Sequence, residues 1–172
     1  YSMNGSIAPV RDIITLAKKY NALTYIDEVH AVGLYGASGA GICEQEDLLQ
    51  QVDIINGTLA KAVGVIGGYI TASQTIIDFI RSFGSGFIFT TSLPPAVCAA
   101  AEKSITLIQQ QSSQRTKLFH LVEYLRRLLG DADITFTENS SHITPVRMKN
   151  AVVCKKVADK LLTQHGVYVQ PV

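Results

Sequence analysis

The run Ala22-Leu-Thr-Tyr-Ile-Asp27 limits the possible folds more than any other stretch of the chain. It is short, apolar, contains aromatic and β-branched residues, and stops at an acid, so it reads as a buried parallel strand. Before it, Pro9 followed by Val10, Ile13, Ile14, Leu16 and Ala17 predicts an amphipathic helix reaching about Tyr20, with Asn21 ending it. Asp53–Asn56, Gly68–Ala72 and Gly86–Thr91 read as three more strands. Helix and strand alternate. This predicts an α/β fold with a mainly parallel open sheet, whose ligand sites lie at the C-terminal ends of its strands.

Beyond Pro94-Pro95 the pattern changes. Residues 96–129 contain no Gly or Pro, and Leu118, Leu121, Val122, Leu125, Leu128 and Leu129 recur at helical spacing. One long helix, or two broken near Gln111-Ser-Ser113, is expected, with Gly130 as its C-terminal cap. Strands at 133–137 and 143–148, a helix over about 151–164 and a last strand from Val167 suggest a smaller α+β unit. Residues 1–130 are therefore expected to form part of a large domain, and 131–172 part of a small one.

The composition is 47% hydrophobic and 17% charged, ordinary for a globular chain of 172 residues that can bury one sizeable core. A net charge of +1 offers no electrostatic basis for binding nucleic acid or an anionic membrane. The longest uncharged stretches are broken by Gly, Asn, Thr and Ser, so no membrane span is expected. Cys43, Cys98 and Cys154 form no C-x-x-C pair, and their odd number favours reduced thiols in an intracellular compartment. The chain opens on Tyr1 in a functional-looking Tyr-Ser-Met-Asn-Gly run and closes on a strand-like Val167–Val172. It reads as an internal piece of a longer protein.

Between Asp53 and Asp78 the only charged residue is Lys61. A surface turn would normally carry more charge, whereas Gly57, Gly64, Gly67 and Gly68 suggest close backbone approach to something. A lysine in a partly desolvated site can supply the neutral amine that Schiff-base chemistry needs. The plainer reading is a surface lysine on a turn.

Asp27 and His30 follow the first strand. An acid at that strand end points into the crevice where α/β sheets bind ligands, although it can equally cap a helix or a turn. A metal site of Asp27, Glu28 and His30 is weakly supported, because no second ligand cluster lies nearby in sequence. A cofactor with a basic ring nitrogen fits better: the carboxylate would keep that nitrogen protonated and His30 would bond a ring substituent. Pyridoxal phosphate has those features. Thr58, three residues before Lys61, adds a hydroxyl at a strand-to-helix turn suited to phosphate. Neither G-x-x-x-x-G-K nor G-x-G-x-x-G is present, which argues against a nucleoside triphosphate and against a dinucleotide domain.

Asp27-Glu-Val-His-Ala-Val-Gly-Leu-Tyr-Gly36, Gly57-Thr-Leu-Ala-Lys-Ala62 and Arg81-Ser-Phe-Gly-Ser-Gly-Phe-Ile-Phe-Thr-Thr-Ser-Leu-Pro-Pro95 together resemble the α-oxoamine synthases. Those are fold-type I pyridoxal-phosphate enzymes that join an amino acid to an acyl-CoA. Ser141-His-Ile-Thr-Pro145 and Tyr168-Val-Gln-Pro171 are similar to the branch that uses glycine and succinyl-CoA. The resemblance implies that Lys61 binds the cofactor as an imine, Asp27 pairs with its ring nitrogen and His30 contacts its ring oxygen. It further implies that Ser2 and Thr58 lie at the cofactor, Thr58 near its phosphate. Thr90 and Thr91 would reach the phosphate in a neighbouring subunit, making the enzyme a homodimer with shared active sites.

Asn4 and Ser6 stand where that family commonly has acids, and Ala60 and Val63 where it often has Gly and Phe. None of these is a proposed catalytic position. The resemblance also places the ring-stacking aromatic and much of the acyl-CoA site before Tyr1, and the carboxylate-binding arginine after Val172. Residues 1–172 alone are therefore expected to be inactive. Cytoplasm is expected for a bacterial source and the mitochondrial matrix for a eukaryotic one. Cys154 is not followed by Pro, so this stretch lacks the Cys-Pro haem-regulatory pattern. The rival readings are another enzyme of the family with a different amino acid or acyl-CoA, and a non-catalytic partner subunit of the same fold. The joint presence of Lys61, Asp27 and His30 argues against the second.

Overall fold

A computed structural model describes residues 1–172. The fold is α/β. The chain divides into two compact units, Pro9–Lys117 and Tyr1–Ala8 with Leu118–Val172.

The first unit opens with α1 (Val10–Lys19), which buries Val10 and Ile14 on one face. It ends as expected, with Asn21 in the left-handed region at φ 51°. A three-stranded sheet follows in the order β1 (Tyr25–Asp27), β2 (Ile54–Thr58), β3 (Gly68–Ala72). β1 and β2 run parallel, with Asp27 opposite Asn56; β3 runs antiparallel to β2, with Thr58 opposite Gly68. Side chains lock the start of β1 to that of β2. Asp53 Oδ2 accepts from the Thr24 amide and hydroxyl, both at 2.8 Å, and the Asp53 amide donates to Thr24 Oγ1 at 2.9 Å.

β1 is shorter than expected and is not buried. It is an edge strand in this chain, paired only with β2, and its Tyr25 is exposed. Between β1 and β2 lie a glycine-rich loop and the one-turn α2 (Ile42–Gln45). After β3 come α3 (Gln74–Phe83), whose first turn is capped by the Ser73 hydroxyl, and the one-turn α4 (Ser85–Ile88). The strand expected at Gly86–Thr91 is therefore wrong. Gly84 ends α3, and its carbonyl takes the Phe87 and Ile88 amides at 2.9 Å, starting a new helical turn.

The helix expected after Pro95 is present as two, α5 (Pro95–Gln110) and α6 (Ser113–Asp131), with the break at Gln111-Ser112. Gly130 is not the cap, because α6 continues through it and the chain turns at Asp133, φ 54°. The division between the units falls inside α6, upstream of the Gly130 boundary expected from sequence.

In the second unit the strands expected at 133–137 and 143–148 shrink to a single antiparallel bridge, Phe136 with Val146. The segment joining the two sides of that bridge is held by Arg126, whose guanidinium donates to the carbonyls of Asn139 (2.8 Å), Ser141 (2.8 Å) and Ile143 (3.0 Å). α7 (Ala151–His165) matches expectation, with the Asn150 side chain capping its start and Gly166 its end. Residues 167–172 form no strand, contrary to expectation.

Candidate active site

Lys61 lies on the Leu59–Gly67 connection between β2 and β3. The apolar flanks have their own use: Leu59 and Val63 are buried against Ala101, with Val65, Tyr69, Leu93 and Ile108 packed around them. Lys61 projects from that core and is exposed. The burial suggested by its neighbours is thus a property of the neighbours. Two hydrogen bonds shape the turn beneath it. The Thr58 hydroxyl donates to the Gly67 carbonyl at 3.2 Å and accepts from the Ala60 amide at 3.1 Å.

Asp27 stands at the C-terminal end of β1, as the sheet argument requires. One of its oxygens accepts from the Val29 amide at 2.8 Å and the other from the Asn56 side-chain amide at 3.3 Å. Both donors leave the exposed carboxylate with further lone pairs for a ligand. The Glu28 amide continues the β1–β2 pairing by donating to the Asn56 carbonyl at 2.9 Å.

His30 follows on the turn after β1. Partial desolvation and the positive charge of Lys61 lower its pKa, while the carboxylate of Asp27 opposes them. The imidazole is therefore within electrostatic reach of both other residues, and it is held toward its neutral form. The two loops also touch directly: a Cβ on Gly33 would come within 2.3 Å of the Ala62 methyl. Asp27, His30, Thr58 and Lys61 are thus brought together by one strand pair and the loops leaving it.

Glu28 is committed to the backbone of the following loop. It is 2% exposed and its carboxylate accepts from the amides of Ile42 (3.0 Å) and Cys43 (2.7 Å). It braces the return of the loop that carries His30. Burial and the Glu28 carboxylate push the Cys43 thiol up to about 12, so that thiol is inert near neutral pH. Arg115, which went unremarked in the sequence, is buried and donates to the carbonyls of Ala37 and Ile108, both at 2.6 Å. It pins the glycine-rich loop following His30. Glu28 beside an apolar strand was a faint sequence signal, and Arg115, in the polar stretch Gln109–Lys117, offered none.

Ser2 belongs to the second unit, on an exposed turn. Thr90 and Thr91 are exposed on the segment between α4 and α5. No hydrogen bond joins Thr90 or Thr91 to Asp27, His30, Thr58 or Lys61.

The model of the class I and II aminotransferases matches residues 1–172. The chain belongs to this family. Among curated relatives of this aminotransferase-family chain, a 5-aminolevulinate synthase of Rhizobium meliloti is 52% identical over all 172 residues, which make up 43% of that relative. An erythroid-specific, mitochondrial 5-aminolevulinate synthase of Danio rerio is 45% identical over the whole chain and 30% of its own length. Among solved structures, a serine palmitoyltransferase of S. paucimobilis with bound PLP and myriocin superposes with TM-score 0.91 at 29% identity, covering 99% of this chain and 44% of that one. The chain spans less than half the length of these relatives.

Proposed function

We propose that this chain is part of a pyridoxal-phosphate-dependent acyltransferase, a 5-aminolevulinate synthase, that condenses glycine with succinyl-CoA. The products are 5-aminolevulinate, CoA and CO2, in the first step of haem and tetrapyrrole biosynthesis. The observation that carries the reading is the clustering of Asp27, His30 and Lys61, in which His30 feels the charges of both others. The donor set suits the cofactor: an amine for its aldehyde, a carboxylate for its ring nitrogen, a near-neutral imidazole for its ring oxygen and the Thr58 turn for its phosphate. Whole-chain identity of 52% to one such synthase supports the choice of substrates.

Bound in this site, pyridoxal phosphate supplies an electron sink for the carbanion formed at the α-carbon of glycine. Asp27 would keep a proton on the ring nitrogen by charge pairing, which would keep that sink effective. Lys61 would hold the cofactor covalently, and its amine would serve as the general base for the α-proton of glycine. His30 orients the ring, and its depressed pKa leaves it a neutral hydrogen-bonding partner near pH 7. Exposure of Lys61 in this chain agrees with a site completed by residues outside it, including Thr90 and Thr91 of a second subunit in a homodimer. Residues 1–130 are taken as part of the large cofactor-binding domain and 131–172 as part of the small one. The compartment would be the cytoplasm in a bacterium and the mitochondrial matrix in a eukaryote.

The full-length protein should show visible absorbance from lysine-bound cofactor, and borohydride should fix the label on Lys61. Lys61→Ala should abolish both the band and turnover; a band that persists in this variant would sink the assignment. Serine palmitoyltransferases among the structural neighbours favour one rival, a different amino acid and acyl-CoA. Turnover of glycine against serine, each with a panel of acyl-CoA thioesters, separates the two.

A further inference from the structure

We propose that Gly33 is a positioning residue: its missing side chain lets the loop after His30 lie against Ala62, and that contact fixes how the Lys61 amine stands to the imidazole. The use made of that spacing, holding the cofactor, rests on the functional reading above. Every residue concerned lies in one compact unit, Pro9–Lys117.

Both sides of the contact are stiff. From Glu28 onward the backbone turns continuously: the Ala31 and Val32 amides donate to the Glu28 carbonyl at 2.8 and 2.9 Å, and the Leu34 and Tyr35 amides to that of Ala31 at 3.0 and 3.1 Å. His30 and Gly33 therefore move as one piece. On the other loop, Lys61 and Ala62 are bracketed by Leu59 and Val63, both buried in the core. The Leu59 amide donates to the Gly67 carbonyl at 3.0 Å, and the Leu59 carbonyl accepts from the Val65 amide at 2.8 Å.

Gly33 has little room to shift. Its amide donates to the Gly39 carbonyl at 2.7 Å, and Gly39 packs so closely on α5 that a Cβ there would meet Ile108 Cγ2 at 2.7 Å. Arg115 binds the Ala37 and Ile108 carbonyls, which ties the same loop to α5 independently of Ala62. A Cβ on Gly33 would stand 2.3 Å from the Ala62 methyl, and its φ of +88° favours glycine in any case. Non-bonded carbons need about 3.8 Å, so an added methyl forces the two loops apart by about 1.5 Å. That displacement separates groups that now interact: after desolvation, the charge of Lys61 is the next cause lowering the His30 pKa.

The test is a double-variant cycle read by NMR titration of His30 in the full-length apoprotein: wild type, Lys61→Ala, Gly33→Ala and the two combined. Lys61→Ala should move the His30 titration upward in both backgrounds, but by about a third less beside Gly33→Ala, because Coulomb attraction and repulsion weaken with distance. Gly33→Ala should also weaken the binding of pyridoxal phosphate to the apoprotein about fivefold, since amine and imidazole are no longer held in register. A role in stability alone would lower the unfolding midpoint and leave the Lys61-dependent shift unchanged, and that result would overturn the proposal. If Gly33→Ala does not fold, Ala62→Val crowds the same contact from the other loop and enters the same cycle with the same expected result. A reduced shift with unaltered cofactor affinity would overturn the use assigned to the spacing. Failure of the wild-type protein to bind the cofactor at Lys61 would overturn the functional reading itself, while the apoprotein titration still decides the loop contact.

Discussion

At the scale of single residues, the site is an electrostatic triad before it is a cofactor pocket. The pKa of His30 is lowered by partial desolvation and by Lys61, and raised by Asp27. Lys61→Ala in the full-length apoprotein should therefore move the His30 titration upward, toward the ordinary histidine range, and Asp27→Asn should move it further down. NMR titration of the imidazole resonances reads both; a shift in the opposite direction for either variant would separate that residue from His30. The linkage has a definite sign. A histidine whose folded pKa is depressed binds protons more readily when unfolded, so its effect on stability is absent above the unfolded value. Stability then falls as pH drops from there through the folded value.

At the scale of elements, what holds the sheet is visible at the Thr24–Asp53 lock. Hydrogen bonds from Thr24 hold the Asp53 carboxyl below its usual range. Such a group contributes stability above its unfolded pKa and loses it as pH falls through the folded value. Thr24→Val keeps the shape and the backbone donor while deleting the hydroxyl. It should cost about 1 kcal/mol at neutral pH and less in acid, where Asp53 is protonated in both proteins. Denaturant titrations at the two pH values check this; an equal loss at both would mean the hydroxyl acts without the carboxylate.

The same lock explains what could be read from the sequence. α1, β2, β3 and α7 announced themselves because local pattern and tertiary place agree in them. Gly86–Thr91 did not, because its apolar alternation looks like a strand while Gly84 restarts a helical turn. The 133–148 strands were misjudged for a different reason: Arg126 on α6 binds the carbonyls of Asn139, Ser141 and Ile143, and only the Phe136–Val146 bridge forms beside them. Asp27, His30 and Lys61 stood out in the sequence by residue type and position, and the fold sets them on one strand pair and the loops leaving it. Glu28 and Arg115 did not stand out, since their partners are backbone groups whose positions only the folded chain defines.

At the scale of the whole molecule, Thr90 and Thr91 are the residues whose proposed role would require a second copy. They sit in an exposed segment flanked by an unusual run of exposed aromatics: Phe79, Phe83, Phe87 and Phe89 are 62%, 71%, 56% and 87% accessible. Aromatic side chains left in water forfeit the burial that normally stabilises them, so this face is expected to be covered in the full-length protein. If the active site combines Lys61 of one subunit with Thr91 of the other, two inactive parents should rescue one another. Full-length Lys61→Ala and Thr91→Ala proteins, co-refolded in equal amounts, form hybrids in which one site carries both defects and the other carries neither. Random pairing makes half the dimers hybrid and restores half the sites in each, so activity should recover to about a quarter of wild type. Were Thr91 to act within its own subunit, every site would keep one defect and mixing would restore nothing. The recovered activity therefore reads directly which subunit supplies the threonine.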